Sequence, residues 1–291
     1  MSIDLLQNMI RKTKNPSVIN MFALPEHIPP HIMQASGSFV QARKVFFSEL
    51  LDALQEVVPA VRFSYPYFAL TGSEGLDTLC ELLNKAKELG YYVLLDGVEA
   101  LSVPEAEYNA GQLMGEKCPF CYDGLIMPAY IGSDGIKPYL DLMKENGKDL
   151  FVVVRTGNRS ATELQDLLTG TRLMHMAAAD IVDRFTKPLM TKCAYSQVAM
   201  MAGASSVSSL QSLRSKYKDA FILIDGCDYS NANAKNCAAA FDQLGHGAAA
   251  CAGLSIVAAW QEAGNETEYR ESAVEAAKRL KKNLLRYITI L

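Results

Sequence analysis

Asp96 closes the apolar run "YYVLLD", and Arg62 lies inside another, "PAVRFSY". A carboxylate delivered to the end of a buried strand can act as a base, hold a cation or pair with an arginine. A guanidinium can grip a carboxylate or phosphate, but it keeps its proton at any working pH and cannot serve as a general acid. The stretch after Asp96, "GVEALS", offers no cation, and no lysine lies between Lys87 and Lys117. A structural role for Asp96, as a capping or ion-pairing residue and for instance paired with Arg62 across neighbouring strands, is therefore expected ahead of a catalytic one. Glu99, Glu105, Asp225 and Asp228 could together form an acidic mouth, suited to a cationic ligand or a hard metal ion. Thr156, Asn158 and Gln165, in "RTGNRSATELQDL", are polar loop residues able to satisfy their own backbone. Cys118 and Cys121, in "KCPFCYDG", have the spacing of half a zinc site. His27, His31, His175 and His246 supply no matching second half, and the cysteines precede a strand instead of opening a helix, so neither metal binding nor a thioredoxin-like role is expected. No serine–histidine–aspartate order stands out.

These side chains need elements to position them. Short apolar runs at 17–22, 59–65, 91–96, 124–130, 150–156, 197–203, 220–226 and 247–253 lack polar alternation, as strands buried on both faces do. Helical patterns such as "EGLDTLCELLNKAKELG" and "PYLDLMKENG" lie between them and supply the crossovers that parallel strands require. Eight strands and eight helices predict a single-domain α/β (β/α)8 TIM barrel over residues 1–291. An open doubly wound sheet would want a glycine-rich loop after its first strand, and "NMFALPEHIPP" has none. Ser133 and Asp134 are placed to cap the helix that follows the fourth strand, "TKCAYS" at 191–196 reads as a connection, and the last 25 residues as a closing helix. His246 reads as a turn residue, and Trp260 and Tyr269 as packing residues. In a barrel, function gathers where strands end: Asn20 to Ala23, Arg62, Asp96 to Leu101, Thr156 and Asn158, Asp225 to Asn231, and Gly253 to Ile256. Phosphate ligands usually sit on the last two of these loops.

Read in this order, the chain resembles the orotidine 5'-monophosphate decarboxylase family in its longer bacterial form. The resemblance runs through "MSIDLLQNMIRKTKNPSV", "VPAVRF", "YYVLLD", "YIGSDGIKPYL", "LFVVVRTGNRSATELQDL" and "GAAACAGLSIVAAW", collinear over nearly the whole length. It implies a dimeric enzyme of pyrimidine (UMP) biosynthesis that needs an aspartate after the first strand, a lysine in the second and D-x-K-x-x-D after the third. This chain has Phe22, Arg62 and "DGVEAL" there, so Asp96 is retained while Val98 stands for the proton-donating lysine and Leu101 for the last aspartate. Loss of a positioned general acid costs on the order of 10²–10⁴-fold. The family's phosphate loop, P-G-x-G-A-Q-G-G, becomes "DGCDYSNAN", with Asp225 for proline, Asp228 for a glycine and Ser230 for glutamine. The following S-R-G-I becomes "GLSI", where Gly253 and Ser255 flank Leu254 in place of the phosphate-gripping arginine. Thr156, Asn158 and Gln165 match the residues that contact the base.

The expectation is a non-catalytic homologue with a regulatory or binding role, pairing with itself or with an active paralogue. It would keep a site for a nucleotide or other small molecule through Thr156, Asn158, Gln165, Ser230, Gly253 and Ser255, with no cofactor and no metal. The alternative is an active decarboxylase or lyase with a rearranged site or altered substrate. Composition limits the classes further. The 28 basic and 32 acidic residues give a formal charge of −4 without a basic block, so no nucleic-acid partner is expected. No apolar run is long enough to span a bilayer, and seven scattered cysteines suit a reducing compartment, so a cytoplasmic location is expected.

Overall fold

The computed structural model describes residues 2–97, 99–230 and 232–291; Val98 and Asn231 lie outside these. Eight parallel strands close a barrel in chain order, the first pairing with both the second and the eighth. They are Ser17–Asn20, Ala60–Ser64, Tyr92–Asp96, Gly124–Pro128, Asp149–Arg155, Val198–Gly203, Ile222–Asp225 and Ala248–Ala252. Each coincides with one of the apolar runs to within about two residues at its ends, as boundaries read from periodicity do. Closure excludes the open sheet.

A helix follows each strand, from Phe39–Leu54 after the first to Tyr269–Leu284 after the eighth. The first helix, Ser2–Thr13, lies across the amino-terminal end of the barrel. It buries Ile3, Leu6 and Ile10 at helical spacing, each worth about 1.5–3 kcal/mol. Its polar residues reach the connections ahead of the last strands: Gln7 Oε1 accepts from the Gly247 amide at 3.0 Å, and Asp4 Oδ1 from the Cys193 amide at 2.7 Å.

Two local expectations are corrected, the cap at Ser133 and Asp134 and the absence of a basic block. The helix after the fourth strand begins at Ser133 itself, behind Gly132 and without a side-chain cap. Ser133 and Asp134 lie inside its first turn, where Asp134 favours the helix dipole and pairs with Lys137 at 3.4 Å. Side-chain capping appears one helix earlier, at Ser102 and Glu105 ahead of Val103–Met114. A small antiparallel hairpin, Leu168–Thr169 with Arg172–Leu173, follows the fifth strand and is too short to leave a period in the sequence. The closing helix also collects Lys278, Arg279, Lys281 and Lys282, with Arg286 in the turn just beyond its end, a local basic cluster concealed by the balanced charge of the whole chain.

Two glycines shape the carboxyl-terminal end. Gly97, at φ +81°, follows Asp96, and a Cβ there would lie 2.4 Å from Pro66 Cδ. Gly226, at φ +67°, follows Asp225, and a Cβ would enter the Tyr229 ring at 2.3 Å. Both turns need the left-handed backbone that glycine adopts without penalty.

Candidate functional site

Parallel register decides which side chains share the barrel mouth. Arg62 pairs with Asn20 on one side and Leu94 on the other, and Asp96 is two residues beyond Leu94, on the same face of its strand. From the seventh strand Asp225 arrives level with Gly203. The mouth is a cavity of about 440 Å³ lined by Asn20, Met21, Phe22, Arg62, Ser64, Asp96, Asp225, Asp228, Tyr229, Gly253, Leu254 and Ser255. No lysine is among these lining residues.

Arg62 organises the floor. Its Nε donates to Asp96 Oδ2, and its Nη1 donates to Asp225 Oδ1 at 2.7 Å. Burial alone would lower the pKa of this guanidinium, but the charges of Asp96 and then Asp225 outweigh it and hold the group well above its ordinary value. Cys251 lies fully buried beside it, and burial raises the thiol despite the opposing charge of Arg62. Tyr229 packs on Gly226, and burial and Asp225 push its phenol up to about 12, which leaves it protonated at neutral pH.

Asp228 has a different partner. Its Oδ2 accepts from the Gly253 amide at 2.8 Å, the Ser255 amide at 3.3 Å and Ser255 Oγ at 2.9 Å. The loop after the eighth strand, where a barrel commonly turns amides toward an anion, therefore already faces a carboxylate of its own chain. Next to Gly253, on the adjoining first strand, Asn20 Oδ1 is buried and has no donor among the described residues.

The acidic mouth expected from sequence is smaller than its residue list. Glu105 Oε2 accepts from the Leu101 and Ser102 amides at 2.8 and 3.0 Å, and these bonds hold its carboxyl below the usual carboxylate range. Glu99 is exposed and outside the cavity lining. Among the described residues no three acidic, histidine or cysteine side chains converge as a metal site. Leu101 is also outside the lining and 79% exposed, whereas Phe22 lines the cavity and stacks at 4.8 Å on Tyr67.

Thr156, Asn158 and Gln165 come together, yet outside the mouth lining. Gln165 Oε1 accepts from the Thr156 amide at 2.7 Å, its Nε2 donates to Thr156 Oγ1 at 2.8 Å, and that hydroxyl donates to Asn158. The three satisfy one another and their own backbone, the loop-stabilising alternative of the two open in the sequence. Ser230 is exposed and also outside the lining, while Gly253 and Ser255 are in it. Asn20, Met21, Ser64 and Tyr229 belong to the cavity without having been singled out by chemistry. Asn20 and Met21 fell in a strand-end range, and the aromatic at 229 inside a run of small polar residues was the available signal for the last.

Beneath this loop Arg155 Nε and Nη2 donate to Asp166 at 3.0 and 2.9 Å, and His175 Nδ1 lies 3.1 Å from the same carboxylate. The arginine hydrogen bonds lower the Asp166 carboxyl against the opposing effect of burial. A depressed folded pKa stabilises above the unfolded carboxyl value of about 4 and is lost as pH falls through the folded value. Scanning calorimetry should therefore show the wild-type melting temperature falling more steeply below about pH 4 than that of Asp166→Asn. Parallel curves would remove this contribution.

Comparison with known proteins agrees with the barrel. The orotidine 5'-phosphate decarboxylase of Rhodopirellula baltica is 26% identical over 249 residues, covering 82% of each chain. That of Caldicellulosiruptor saccharolyticus is 24% identical over 296 aligned positions, covering 97% of each. This chain is similar to the orotidine 5'-phosphate decarboxylases. The resemblance read from the strand motifs thus extends to aligned sequence along nearly the whole polypeptide. Solved decarboxylase structures share the fold: that of Leishmania donovani superposes with a TM-score of 0.72 at 20% identity, over 97% of this chain and all of that one. The Plasmodium berghei enzyme gives 0.74 at 14% identity, over 97% and 98% of the two chains. No family model matches the chain. Among the described residues no helix is long and apolar enough to cross a membrane.

Proposed function

We propose that this chain is a non-catalytic relative of the orotidine 5'-phosphate decarboxylases that binds a small, phosphate-free ligand at its barrel mouth. The observation carrying this reading is the clamp on Arg62: the single guanidinium is spent between Asp96 and Asp225, in a cavity lined without a lysine. Decarboxylation of the family's kind needs an acid that can protonate the carbon as carbon dioxide leaves, and a guanidinium does not release its proton. In the family resemblance Phe22, Val98 and Leu101 stand at lost catalytic positions, with Asp96 and Arg62 as remnants; Val98 lies outside the described residues.

Phosphate is disfavoured by charge and by occupancy. The cavity holds three carboxylates, Asp96, Asp225 and Asp228, against one guanidinium, and Asp228 already takes the amides of Gly253 and Ser255. Asn20 Oδ1, buried without a donor, favours a ligand that presents an N–H group. Absorbance assays with orotidine 5'-monophosphate should show no turnover above the enzyme-free rate, and thermal shifts with uridine should exceed those with uridine 5'-monophosphate. Turnover at ordinary decarboxylase rates would refute the reading.

The chain acts, in this proposal, as a homodimer or beside an active paralogue. Leu70, Leu101 and Tyr130, on loops after the second, third and fourth strands, are 86%, 79% and 84% exposed around the mouth rim, where an interface would cover them. Light scattering on the purified chain, alone and mixed with the host's active decarboxylase, tests this. A monomer in both settings removes the regulatory version.

A further inference from the structure

Cys118 and Cys121 lie away from the mouth, on the connection between the helix Val103–Met114 and the fourth strand, and the proposed function does not use them. The chain bends at both Pro119 and Phe120 between them. A four-residue reversal brings its outer Cα atoms to within about 7 Å, close to the span a disulfide bridges. The turn is anchored: Phe120 packs edge-on against Tyr65 at 5.8 Å, and Cys118 Sγ donates to the Phe120 carbonyl at 3.4 Å. Both sulfurs are thus held on one short, pinned segment.

Their surroundings differ in a useful way. Cys121 is exposed, the only cysteine so placed among the described residues, while Cys118 is half-buried. Lys148 Nζ sits 3.8 Å from the Tyr122 ring centroid and donates to the Leu113 carbonyl at 2.9 Å, and burial lowers its ammonium against the opposing charge of the nearby Cys118. A third thiol, Cys80, lies on the helix Gly72–Glu88, near enough that Cys121 and Cys118 add to burial and Asp77 in raising it. The three do not converge as a metal site.

We propose that Cys118 and Cys121 form a dithiol modification site for low-molecular-weight disulfides, closing to an intramolecular Cys118–Cys121 bridge. The exposed Cys121 sulfur, as thiolate, attacks one sulfur of the incoming disulfide RSSR, forming a mixed disulfide and expelling RS⁻. Cys118 then attacks the Cys121 sulfur, with the Lys148 ammonium beside the reacting Cys118 sulfur, and expels the second RS⁻. The two thiol protons end on the two leaving thiolates, so the protein is oxidised by two electrons and RSSR is reduced to two RSH. Cys80, more buried than Cys121 and with its thiol raised by burial, remains a bystander.

The full-length protein in glutathione buffers of graded reduced-to-oxidised ratio, quenched with N-ethylmaleimide and mapped by peptide mass spectrometry, tests the site. Cys118 and Cys121 should lose alkylation together and appear as one linked peptide, at ratios that leave the buried Cys227, Cys237 and Cys251 free. Cys118→Ser should stall as a glutathione adduct on Cys121, and Cys121→Ser, a change at an exposed position, should form no bridge. Cys80→Ser should close as the wild type does. Alkylation of both cysteines at every ratio, or a bridge that contains Cys80, would overturn the assignment.

Discussion

Arg62→Ala should lower the melting temperature of this protein by something of the order of 10 °C. Asp96 is only 6% exposed, and its partner in the clamp, Asp225, is half-buried. Without the guanidinium both carboxylates face each other in the cavity floor with no counter-charge. Removing one partner of a buried ion pair typically costs about 3–5 kcal/mol. Each kcal/mol moves the melting point of a domain approaching this size by about 2–4 °C. Arg62→Lys should recover part of the loss, because a single ammonium lacks the fork that contacts two carboxylates at once. Adding Asp96→Asn and Asp225→Asn to the alanine variant should recover more, since neutral amides need no cation. Calorimetry on the four proteins measures the series. A shift for Arg62→Ala smaller than about 2 °C would mean that water, not the arginine, balances the two acids.

The second large effect concerns anions. Asp228→Ala frees the Gly253 and Ser255 amides together with Ser255 Oγ and removes one of three carboxylates from the cavity. At an effective dielectric of about 20, a like charge 4 Å away opposes an anion by about 4 kcal/mol, and more distant or solvated placements by less. Affinity for inorganic phosphate and for uridine 5'-monophosphate should therefore rise at least about ten-fold, equivalent to about 1.4 kcal/mol. Leu254→Arg in the same chain should raise it again through a charge-assisted pair. Titration calorimetry of wild type and both variants reads the change directly. If phosphate binds the wild type as tightly as it binds Asp228→Ala, the carboxylate is not what keeps anions out.

How far the site could be read ahead of the fold varies by residue. The Arg62–Asp96 contact was legible only as one example of a structural role for Asp96, because adjacent strand runs make it available while the register of the sheet decides it. The role of Asp225 as second holder of the same guanidinium was not, because the two are 163 positions apart and meet only when the barrel closes. Glu105 looked like part of an acidic mouth, although the pattern Ser102-x-x-Glu105 already contained a capping box that would consume it. Thr156, Asn158 and Gln165 carried two readings whose difference lies in side-chain direction, which residue type does not encode.

The amino-acid order alone determined the eight apolar runs, their alternation with helices, and the residue types at each strand end, including the missing lysine between positions 87 and 117. Those are local properties, set by periodicity and chemistry within a few residues of chain. Tertiary structure decided that one arginine is shared by two aspartates, that Asp228 occupies the amides of the last loop, and that Tyr229 stands in the mouth. Each depends on register and closure around the barrel, where a side chain's partner is set by the geometry of distant strands and not by its neighbours in sequence.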